Sequence, residues 1–336
     1  MLTRPNISVV IPNWNGWHHL PECLIALRLQ TYQQFEVIVV DNGSSDNSEA
    51  EIRAHFPEVR LICLATNQGF AAACNEGIAV AHGEFVALLN NDTRVDPGWL
   101  TALYRASQNS ENPGYDMWAS RVVLADQPEL LDSAGDGMTI AGAPFKRGHL
   151  EAAERHATAQ EVFGPSGSAA LYRKALLDRI GGFDPDFFLI HEDVDLAWRA
   201  RLSGARCWYV ADAIVQHKLN ASLGYLSWTY VFYGHRNLEY LFVKNAPAWL
   251  LLRCLPAHIL FNMLAWGYFT LRGHGLTFLQ AKGAAMWHMR LFWRKRRIVQ
   301  THRRVASRDL LGLMRRRWIG DKLHTATFER LRKKRQ

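Results

Sequence analysis

Short apolar runs alternate with longer amphipathic segments through the first ninety residues of the chain. The apolar runs predict buried strands at 7–12, 35–40, 59–65 and 84–89. The segments between them predict helices at 19–30, 46–56 and 69–81. This alternation implies right-handed crossovers and a parallel sheet with helices on both faces, so the predicted fold class is α/β.

A cluster of hydrogen-bonding side chains follows each of these four strands. The clusters are PNWN at 12–15, DNGSSD at 41–46, TNQG at 66–69 and NNDT at 90–93. A single polar turn is ordinary, because Asn, Asp and Thr satisfy nearby backbone groups. In a parallel α/β sheet, however, ligands bind at the carboxyl ends of the strands. Four polar strand ends on one rim therefore predict a binding site.

Two common nucleotide-binding fingerprints are missing from the sequence. No GxGxxG follows the first strand, and no GxxxxGK[ST] occurs anywhere. A nucleotide bound at this rim would have to be held in another way. A nucleotidyltransferase, the alternative within enzymes, needs a glycine-rich loop and a catalytic Lys or Arg after the first strand. This chain has Asn13-Trp14-Asn15-Gly16 at that place.

The segment 164–204 continues the mixed pattern of strand and helix. It predicts a small-residue strand, a short helix, a turn at Gly181-Gly182, and a helix that opens at Glu192-Asp193 and ends before Gly204. Asp195 is expected to pair with Arg199 one helical turn later.

The last third of the chain is richer in aromatic and long apolar residues. The apolar stretch 248–271 is long enough, at 24 residues, to span a bilayer. Arg253, Pro256, His258 and Asn262 interrupt it, and a central Arg costs about 2.5–3.5 kcal/mol on insertion scales. We interpret it as one helix, or two helices broken near Pro256, lying in the membrane interface. The stretch 276–299 repeats the pattern, with Trp and Phe ahead of a basic cluster.

The net charge of +8 is distributed unevenly along the chain. From Arg290 to Gln336 there are 17 Lys and Arg against three acidic residues. Basic helices with aromatic residues also occur in nucleic-acid-binding proteins, which is the alternative from a non-enzyme class. Here the basic residues follow apolar, Trp-rich helices, which favours a membrane surface with anionic lipids and no nucleic acid as partner.

Cysteine usage and the N-terminus bear on the compartment. The five cysteines are far apart and show no CxxC spacing, which argues against a disulfide framework or a zinc site. The apolar run near the N-terminus is too short for a secretory signal. A reducing cytoplasm is therefore expected.

Five motifs occur in order across roughly residues 6–220: SVVIPNWNG, VIVVDNGSSDNS, NQGFAAACNEGI, LLNNDT and GGFDPDFFLIHEDVDLAWRARLSG. Together they resemble the family 2 glycosyltransferases of the GT-A fold, especially the branch that contains bacterial rhamnosyltransferases. The resemblance implies a Rossmann-like mixed sheet, a nucleotide-diphospho-sugar donor, and inversion at the anomeric carbon.

Carried over position by position, the resemblance implies donor-binding residues on the first strand ends. For the nucleobase and ribose they are Pro12, Asn15, Asp41, Asn67 and Gly69. Asp41 suits an imide N–H of uracil or thymine, since a carboxylate only accepts hydrogen bonds. The alternative for Asp41 is an Asx turn that caps its own strand.

The DxD motif of the family aligns with Asn90-Asn91-Asp92, which implies Mg²⁺ or Mn²⁺ on the donor diphosphate. Hard divalent ions take oxygen ligands, and only Asp92 supplies a charged one here. His217, where relatives carry a histidine, is implied to complete the metal or diphosphate site. The alternative is that His217 is an ordinary structural residue.

The family's ED motif falls on Glu192 and Asp193 at the start of a predicted helix. Inverting displacement needs a general base on the acceptor hydroxyl, worth about 10²–10⁴ in rate. Asp193 is the implied base, and Glu192 is the first candidate if Asp193 is not. Acidic residues in a first helical turn are also common for helix-dipole reasons alone.

Two domains follow from these patterns. Residues 1–223 are predicted to form the GT-A catalytic domain, with nucleotide-sugar binding in about 1–100 and the acceptor part in about 101–223. Residues 224–336 are predicted to be a basic, amphipathic helical region for membrane association.

The resemblance favours dTDP-L-rhamnose as donor and leaves UDP-sugars, including UDP-galactofuranose, open. A glycan on a polyprenyl diphosphate is the expected acceptor, at the cytoplasmic face of the inner or plasma membrane, with the protein peripheral or monotopic.

Overall fold

Strand and helix alternate through the first ninety residues, as the sequence predicts. In the computed structural model, which describes residues 5–109, 114–218 and 226–316, the elements are β1 (Ile7–Asn13), α1 (Leu20–Arg28), β2 (Phe35–Asp41), α2 (Ser48–His55), β3 (Arg60–Cys63), α3 (Phe70–Val80) and β4 (Phe85–Leu89). The four strands lie in the order β4, β1, β2, β3, and every neighbouring pair is parallel. The parallel sheet is confirmed.

Further strands extend this sheet beyond β4. The next elements are β5 (Thr93–Val95), α4 (Trp99–Ser107), β6 (Tyr115–Leu124), β7 (Leu131–Ser133), β8 (Asp136–Met138), β9 (Pro144–Lys146), β10 (Gln160–Val162), β11 (Ala169–Arg173), α5 (Lys174–Ile180), α6 (Glu192–Leu202) and β12 (Arg206–His217). Strand β11 runs antiparallel to both β4 and β6, so the complete sheet, in the order β10-β12-β6-β11-β4-β1-β2-β3, is mixed. Strands β5 and β7 pair with β12 and β6, and β8 pairs with β9 in a separate two-stranded sheet.

Helices cover both faces of the parallel strands, which explains their continuous apolar runs. Successive residues of a strand point to opposite faces. Accordingly Val9 and Val39 belong to one buried cluster, and Val10 and Val40 belong to another. A sheet buried in this way leaves only its strand ends free to carry polar groups.

The remaining helices follow one another with short connections. They are α7 (Trp228–Asn245), α8 (Ala248–Leu271), α9 (Gly275–Trp287), α10 (Met289–Thr301) and α11 (Ser307–Leu313). Helix α8 is continuous through Pro256, so the alternative of two helices broken there is wrong. The stretch 276–299 divides between α9 and α10, which meet at His288.

Helix α8 buries a single stripe of side chains. The buried residues are Leu250, Cys254, His258, Phe261 and Phe269. Their spacing of three, four or eight residues keeps them on one side of the helix. Within the residues that the structure describes, α8 is the one helix long and apolar enough to cross a membrane, with a mean hydropathy of 1.5. Of the 18-residue stretch of α8 that has this hydropathy, 28% is buried.

A partly buried polar network explains two of the residues that interrupt the apolar sequence of α8. Glu239 on α7 accepts hydrogen bonds from Asn262 Nδ2 at 3.0 Å and Lys282 Nζ at 2.5 Å, and lies 3.0 Å from His258 Nε2. His258 Nδ1 donates to the carbonyl of Ala141 at 2.8 Å. Burial by itself would raise the pKa of Glu239, but the His258 hydrogen bond and the Lys282 charge lower it to about 2.

The chain divides into two compact units. The first comprises Met1–Asp136, Lys146–Ala200 and Ala205–Leu219, and the second comprises Gly137–Phe145, Arg201–Gly204 and Asn220–Gln336. The predicted domain boundary at 223 stays a prediction. The second unit also includes two short segments from earlier in the chain, and one of them, 137–145, packs its Ala141 and Ala143 against Leu238 and Phe261.

Candidate active site

Hydrogen bonds between side chains join the ends of β1, β2 and β4 at one rim of the sheet. Asn13, which is only 1% exposed, is the central residue. Its Nδ2 donates to Asp41 Oδ1 at 3.1 Å and to Ser48 Oγ at 3.0 Å. Its Oδ1 accepts from Asn91 Nδ2 at 2.8 Å. The structure thus brings the predicted residues Asp41 and Asn91 together, through a residue that was not among the predicted site residues.

Asp41 also holds the loop that follows its own strand. Its Oδ2 accepts from the Ser44 N–H at 3.1 Å, and its Oδ1 accepts from Ser44 Oγ at 2.5 Å. This is the capping turn that the sequence analysis weighed as the alternative. A carboxylate has about four acceptor sites, so the turn leaves capacity for a ligand donor. Nucleobase binding by Asp41 stays a prediction.

Asn15 connects the first strand end to the 41–46 loop. Its φ is 50°, in the left-handed region. Its Oδ1 accepts from the Ser45 N–H at 2.7 Å, and its own N–H donates to Ser44 Oγ at 2.9 Å. Pro12, next to the strand end, is half-buried and lies opposite Val40 in the β1–β2 register. Asn15 therefore holds the shape of the rim.

Asn67 and Gly69 form the corner before α3. Asn67 Oδ1 accepts from Asn42 Nδ2 at 3.0 Å and from the Gly69 N–H at 2.9 Å. Gly69 has a φ of 88°, and a Cβ there would lie 2.6 Å from the carbonyl oxygen of Phe188. Any other residue would force this corner apart, so the glycine is needed for the close approach of backbone to backbone.

The NND segment contains two buried side-chain oxygen atoms without a hydrogen bond. Within the described part of the chain, Asn90 Oδ1 and Asp92 Oδ1 accept none, although Asp92 Oδ1 lies 3.3 Å from His217 Nε2. The Asn90 backbone is fixed, because its N–H donates to the Ser168 carbonyl at 2.9 Å and its carbonyl accepts from Thr93 Oγ1 at 2.6 Å. Buried polar atoms without partners are costly, which indicates that these oxygens face a ligand.

His217 lies between two carboxylates. Its Nδ1 is 2.8 Å from Asp132 Oδ2, and its Nε2 is 3.3 Å from Asp92 Oδ1. The pairing of β5 with β12 places His217 opposite Thr93 and so brings it beside Asp92, although the two are far apart in sequence. Burial alone would lower the pKa of His217, but the two carboxylates raise it to about 9.

Asp132 is a site residue that the sequence analysis missed. It is fully buried in β7 and accepts from Lys146 Nζ at 2.7 and 2.9 Å. Burial would raise the pKa of Asp132, yet Lys146, His149 and His217 together lower it well below its usual range. In the sequence, LDSAGDG resembles an ordinary turn. The one feature of the sequence that could have indicated a site is the presence of two carboxylates, Asp132 and Asp136, within this short run.

Asp92 and His217 fit a divalent ion that is shared with a diphosphate. The described residues contain no group of three or more His, Cys, Asp or Glu side chains that could hold a metal alone. Mg²⁺ commonly takes one or two carboxylates and completes its shell with substrate phosphates and water. A histidine whose other ring nitrogen is bonded to a carboxylate, as Nδ1 of His217 is to Asp132, is the usual arrangement of a metal ligand.

The two acidic residues at the start of α6 have different surroundings. Asp193 is half-buried, and its Oδ2 and Oδ1 accept from the N–H groups of Gly167 at 2.9 Å and Val194 at 2.7 Å. Glu192 is buried, and its Oε2 has no hydrogen-bond partner within the described residues. Burial, and after it the charge of Asp193, raise the pKa of Glu192 well above its usual range. Helix-dipole reasons apply equally to both, but burial separates them and favours Asp193 as the base. As expected, Asp195 pairs with Arg199, at 2.8 Å.

One short turn connects the NND segment to α6. The Gly167 N–H donates to Asp193, and the next residue, Ser168, accepts through its carbonyl from the Asn90 N–H. Buried Asp136 also belongs to this region, because burial and the charge of Asp193 raise its pKa well above the usual range. The predicted metal ligands and the predicted base therefore belong to one connected site in the first unit.

The mixed sheet and its polar rim agree with the GT-A type of glycosyltransferase that the five motifs predict. The chain belongs to glycosyl transferase family 2, whose family model matches residues 8–181. It is an enzyme that transfers sugars, and the resemblance noted from the five motifs is confirmed.

Characterised relatives cover most of the same region. Over 246 residues the chain is 29% identical to the N-acetylglucosaminyl-diphospho-decaprenol L-rhamnosyltransferase of Mycobacterium tuberculosis, covering 65% of this chain and 78% of that protein. Over 237 residues it is 30% identical to the pre-mycofactocin glycosyltransferase of Mycobacterium tuberculosis, covering 68% of this chain and 46% of that protein.

Solved structures share the fold. Residues 1–349 of TarS from S. aureus superpose with a TM-score of 0.56 at 18% identity, covering 88% of this chain and 90% of that one. The mannosyltransferase PcManGT from Pyrobaculum calidifontis, solved with GDP-Man and Mn²⁺, gives a TM-score of 0.52 at 19% identity, covering 90% and 87%. These likenesses confirm the predicted fold class.

Proposed function

We propose that this glycosyltransferase moves L-rhamnose from dTDP-L-rhamnose, with inversion, to a glycan on a polyprenyl diphosphate in the biosynthesis of an O-antigen-like cell-surface polysaccharide. The observation that carries the proposal is the 3.3 Å contact of Asp92 with His217, beside a turn that leads to Asp193. The rhamnosyltransferase relative, whose name gives a lipid-linked acceptor, supports the choice of donor and acceptor.

The residues of the site divide the work of the reaction. Asp92 and His217 would hold Mg²⁺ or Mn²⁺, which when bound offsets the charge of the leaving diphosphate. Asp193 accepts the proton of the acceptor hydroxyl. The hydroxyl oxygen of the acceptor attacks the anomeric carbon at the same time, and the nucleoside diphosphate leaves. Asp132 keeps the His217 ring in one orientation. Asp41 accepts from the imide N–H of the base.

The second unit is proposed to associate with the cytoplasmic face of the membrane as a peripheral or monotopic region. Its large apolar side chains are exposed, with Leu252 at 70% and Trp287 at 85%. Patches of this kind mark interaction surfaces. The neighbouring Lys and Arg residues would attract anionic lipids. A membrane-bound enzyme meets a polyprenyl-linked acceptor at the surface where that acceptor resides.

Thermal stabilisation by nucleotide sugars tests the donor assignment. With Mn²⁺ present, a donor at 100 times its Kd should stabilise the protein by about 2.7 kcal/mol. We expect this effect from dTDP-L-rhamnose, and we expect Asp92→Ala to remove its metal-dependent part. Stabilisation by UDP-galactofuranose instead would reassign the donor. No stabilisation by any nucleotide sugar, or equal stabilisation of Asp92→Ala in EDTA, would overturn the site.

A further inference from the structure

The second unit contains a cavity of about 550 Å³ at the N-terminal end of α8. Trp249 of α8 and Trp293 of α10 contribute two indole rings to its lining. Arg296, Arg297 and Arg303 contribute three guanidinium groups. Nothing in the proposed glycosyl transfer uses this cavity, so its charge needs a separate explanation.

The positive charge of the cavity is not neutralised within the described residues. None of the three arginines forms an ion pair with a carboxylate there. Arg296 is 6% exposed and is held by hydrogen bonds from Nη1 to the carbonyls of Val243, at 2.7 Å, and Ala246. Burial and the neighbouring Arg303 lower the pKa of Arg296. Buried positive charge without a counter-charge is costly, and an anionic ligand would offset that cost.

The two remaining arginines are placed to contact such a ligand. Arg297 and Arg303 are exposed at the cavity, and Arg303 Nη1 donates to Ser307 Oγ at 3.1 Å. A guanidinium group presents several N–H donors in a fixed plane, which matches the oxygens of a phosphate. The shared chemistry is therefore that of a phosphate or diphosphate group.

The apolar surroundings distinguish a lipid from a free anion. Trp249 and Trp293 are each nearly half exposed, and Leu252, one helical turn after Trp249, is largely exposed. Indole rings prefer the level of the headgroups in a bilayer, with aliphatic side chains below them. A ligand with a phosphate next to a long apolar chain would use the guanidinium groups and the apolar side chains together.

We propose that this cavity binds the phosphate group of a membrane lipid, with Arg297 and Arg303 on the phosphate oxygens and the two indoles at the headgroup level. The choice of a lipid rests on the proposed membrane association of the second unit. The assignment of a phosphate site to the arginine cluster does not depend on that association. Two lipids share this chemistry: an anionic phospholipid, and the polyprenyl diphosphate that carries the acceptor glycan.

Vesicle binding by two matched double variants tests the proposal. Arg297→Gln with Arg303→Gln removes two charges at the cavity. Arg290→Gln with Arg294→Gln removes two exposed charges of α10, the helix that carries Arg297, and neither of these residues lines the cavity. Binding to phosphatidylcholine vesicles is compared with binding to vesicles that also contain phosphatidylglycerol or a polyprenyl diphosphate. We expect the cavity pair to lose at least about tenfold more affinity than the control pair, because charge-assisted hydrogen bonds are lost as well as charge.

The lipid that shows the larger difference between the pairs identifies the source of the phosphate. Equal losses by the two pairs would reduce the cavity to part of a diffuse basic surface and overturn the site. Wild-type protein that binds no vesicle at low salt would overturn the membrane association itself. Binding of free pyrophosphate as tightly as of the polyprenyl diphosphate would overturn the assignment to a lipid.

A second measurement is independent of the arginine variants. Lipids brominated near the headgroup should quench the fluorescence of Trp249 and Trp293. Quenching that is unchanged in Trp249→Phe with Trp293→Phe would place these indoles away from the bilayer and contradict the proposal.

Discussion

The sheet rim and the helical unit arrange polar and apolar groups in opposite ways. At the rim, Asn13 and Asp41 are buried and bonded to each other, and the buried Asp132 is bonded to His217. In the helical unit, large apolar side chains such as Met263 and Leu276 are exposed. A buried polar group and an exposed apolar patch are each informative, because neither is the default in a folded protein. The first indicates fixed geometry for chemistry, and the second indicates an interaction surface, which we propose to be covered by the membrane.

Each region also contains one exception to its own rule. Among the described residues, the rim has buried oxygens without a hydrogen bond at Asn90, Asp92 and Glu192, where a ligand or a proton is expected. The helical unit has a partly buried polar network in which Glu239 contacts His258, Asn262 and Lys282. Predictions about these exceptions test the comparison most directly.

Asp193→Asn is expected to have the largest effect. The amide keeps the shape of the side chain but cannot accept a proton, so kcat should fall by about 10²–10⁴ while donor affinity is retained. Steady-state kinetics with donor binding by calorimetry measure both. Glu192→Gln, which replaces a buried acid whose pKa is raised by burial, should cost less. The reverse order of the two losses would move the base to Glu192.

Glu239→Gln tests whether the helical unit depends on its buried charge. The pKa of Glu239 is lowered from 4.5 to about 2, so its contribution to stability is present above pH 4.5 and is lost as the pH falls toward 2. The loss amounts to about 3 kcal/mol. Thermal unfolding from pH 6 to pH 2 should show this acid-sensitive component in the wild type and less of it in the variant. If the stability of the wild type and of Glu239→Gln falls equally with pH, the charge of Glu239 does not contribute to the stability of the unit.

Asp132→Asn tests the positioning of His217. Losing the carboxylate next to a metal-ligating histidine typically costs about 10–100-fold in metal affinity. We expect a weakening in this range for Mn²⁺, measured by calorimetry with the nucleoside diphosphate present. Lys146→Met is the matched control, since it removes the ion pair to Asp132 but keeps the bond from Asp132 to His217. If Asp132→Asn lowers the stability of the protein but the folded variant binds Mn²⁺ as tightly as the wild type, the role of Asp132 is purely structural.

Leu252→Ser and Met263→Ser should have the smallest effects, of about tenfold each on vesicle binding. Both side chains are exposed, and each would bury only part of its surface in a bilayer, so the lower end of the range of about 1.5–3 kcal/mol for full burial applies. The loss should persist at high salt, because apolar burial is not screened. Ile52→Ser, in the core of the sheet unit, is unsuitable as a control because it would unfold that unit. Binding unchanged in both variants at high salt would remove α8 from the membrane contact.

The strands of the parallel sheet were predictable from the sequence because their periodicity is local. Asp41, Asn67 and Asp92 could also be identified from the sequence as candidates, because they are polar residues that follow apolar strands. Asp132 was not, because its role requires β7 to lie next to β6 and β6 next to β12. Likewise, His258 and Asn262 interrupt an apolar helix in the sequence, and only the position of Glu239 on α7 explains them.

The sequence by itself determined the alternation of strands and helices, the polar strand ends, the family, and the basic, apolar character of the last third. These depend on patterns over a few residues and on ordered motifs. The tertiary structure alone decided that Asp92, His217 and Asp132 form one chain of contacts, that Glu192 is buried while Asp193 is not, and that three arginines share a cavity with two tryptophans. Such facts depend on the pairing of strands and the packing of helices that are distant in sequence, and no local pattern encodes which distant residues will meet.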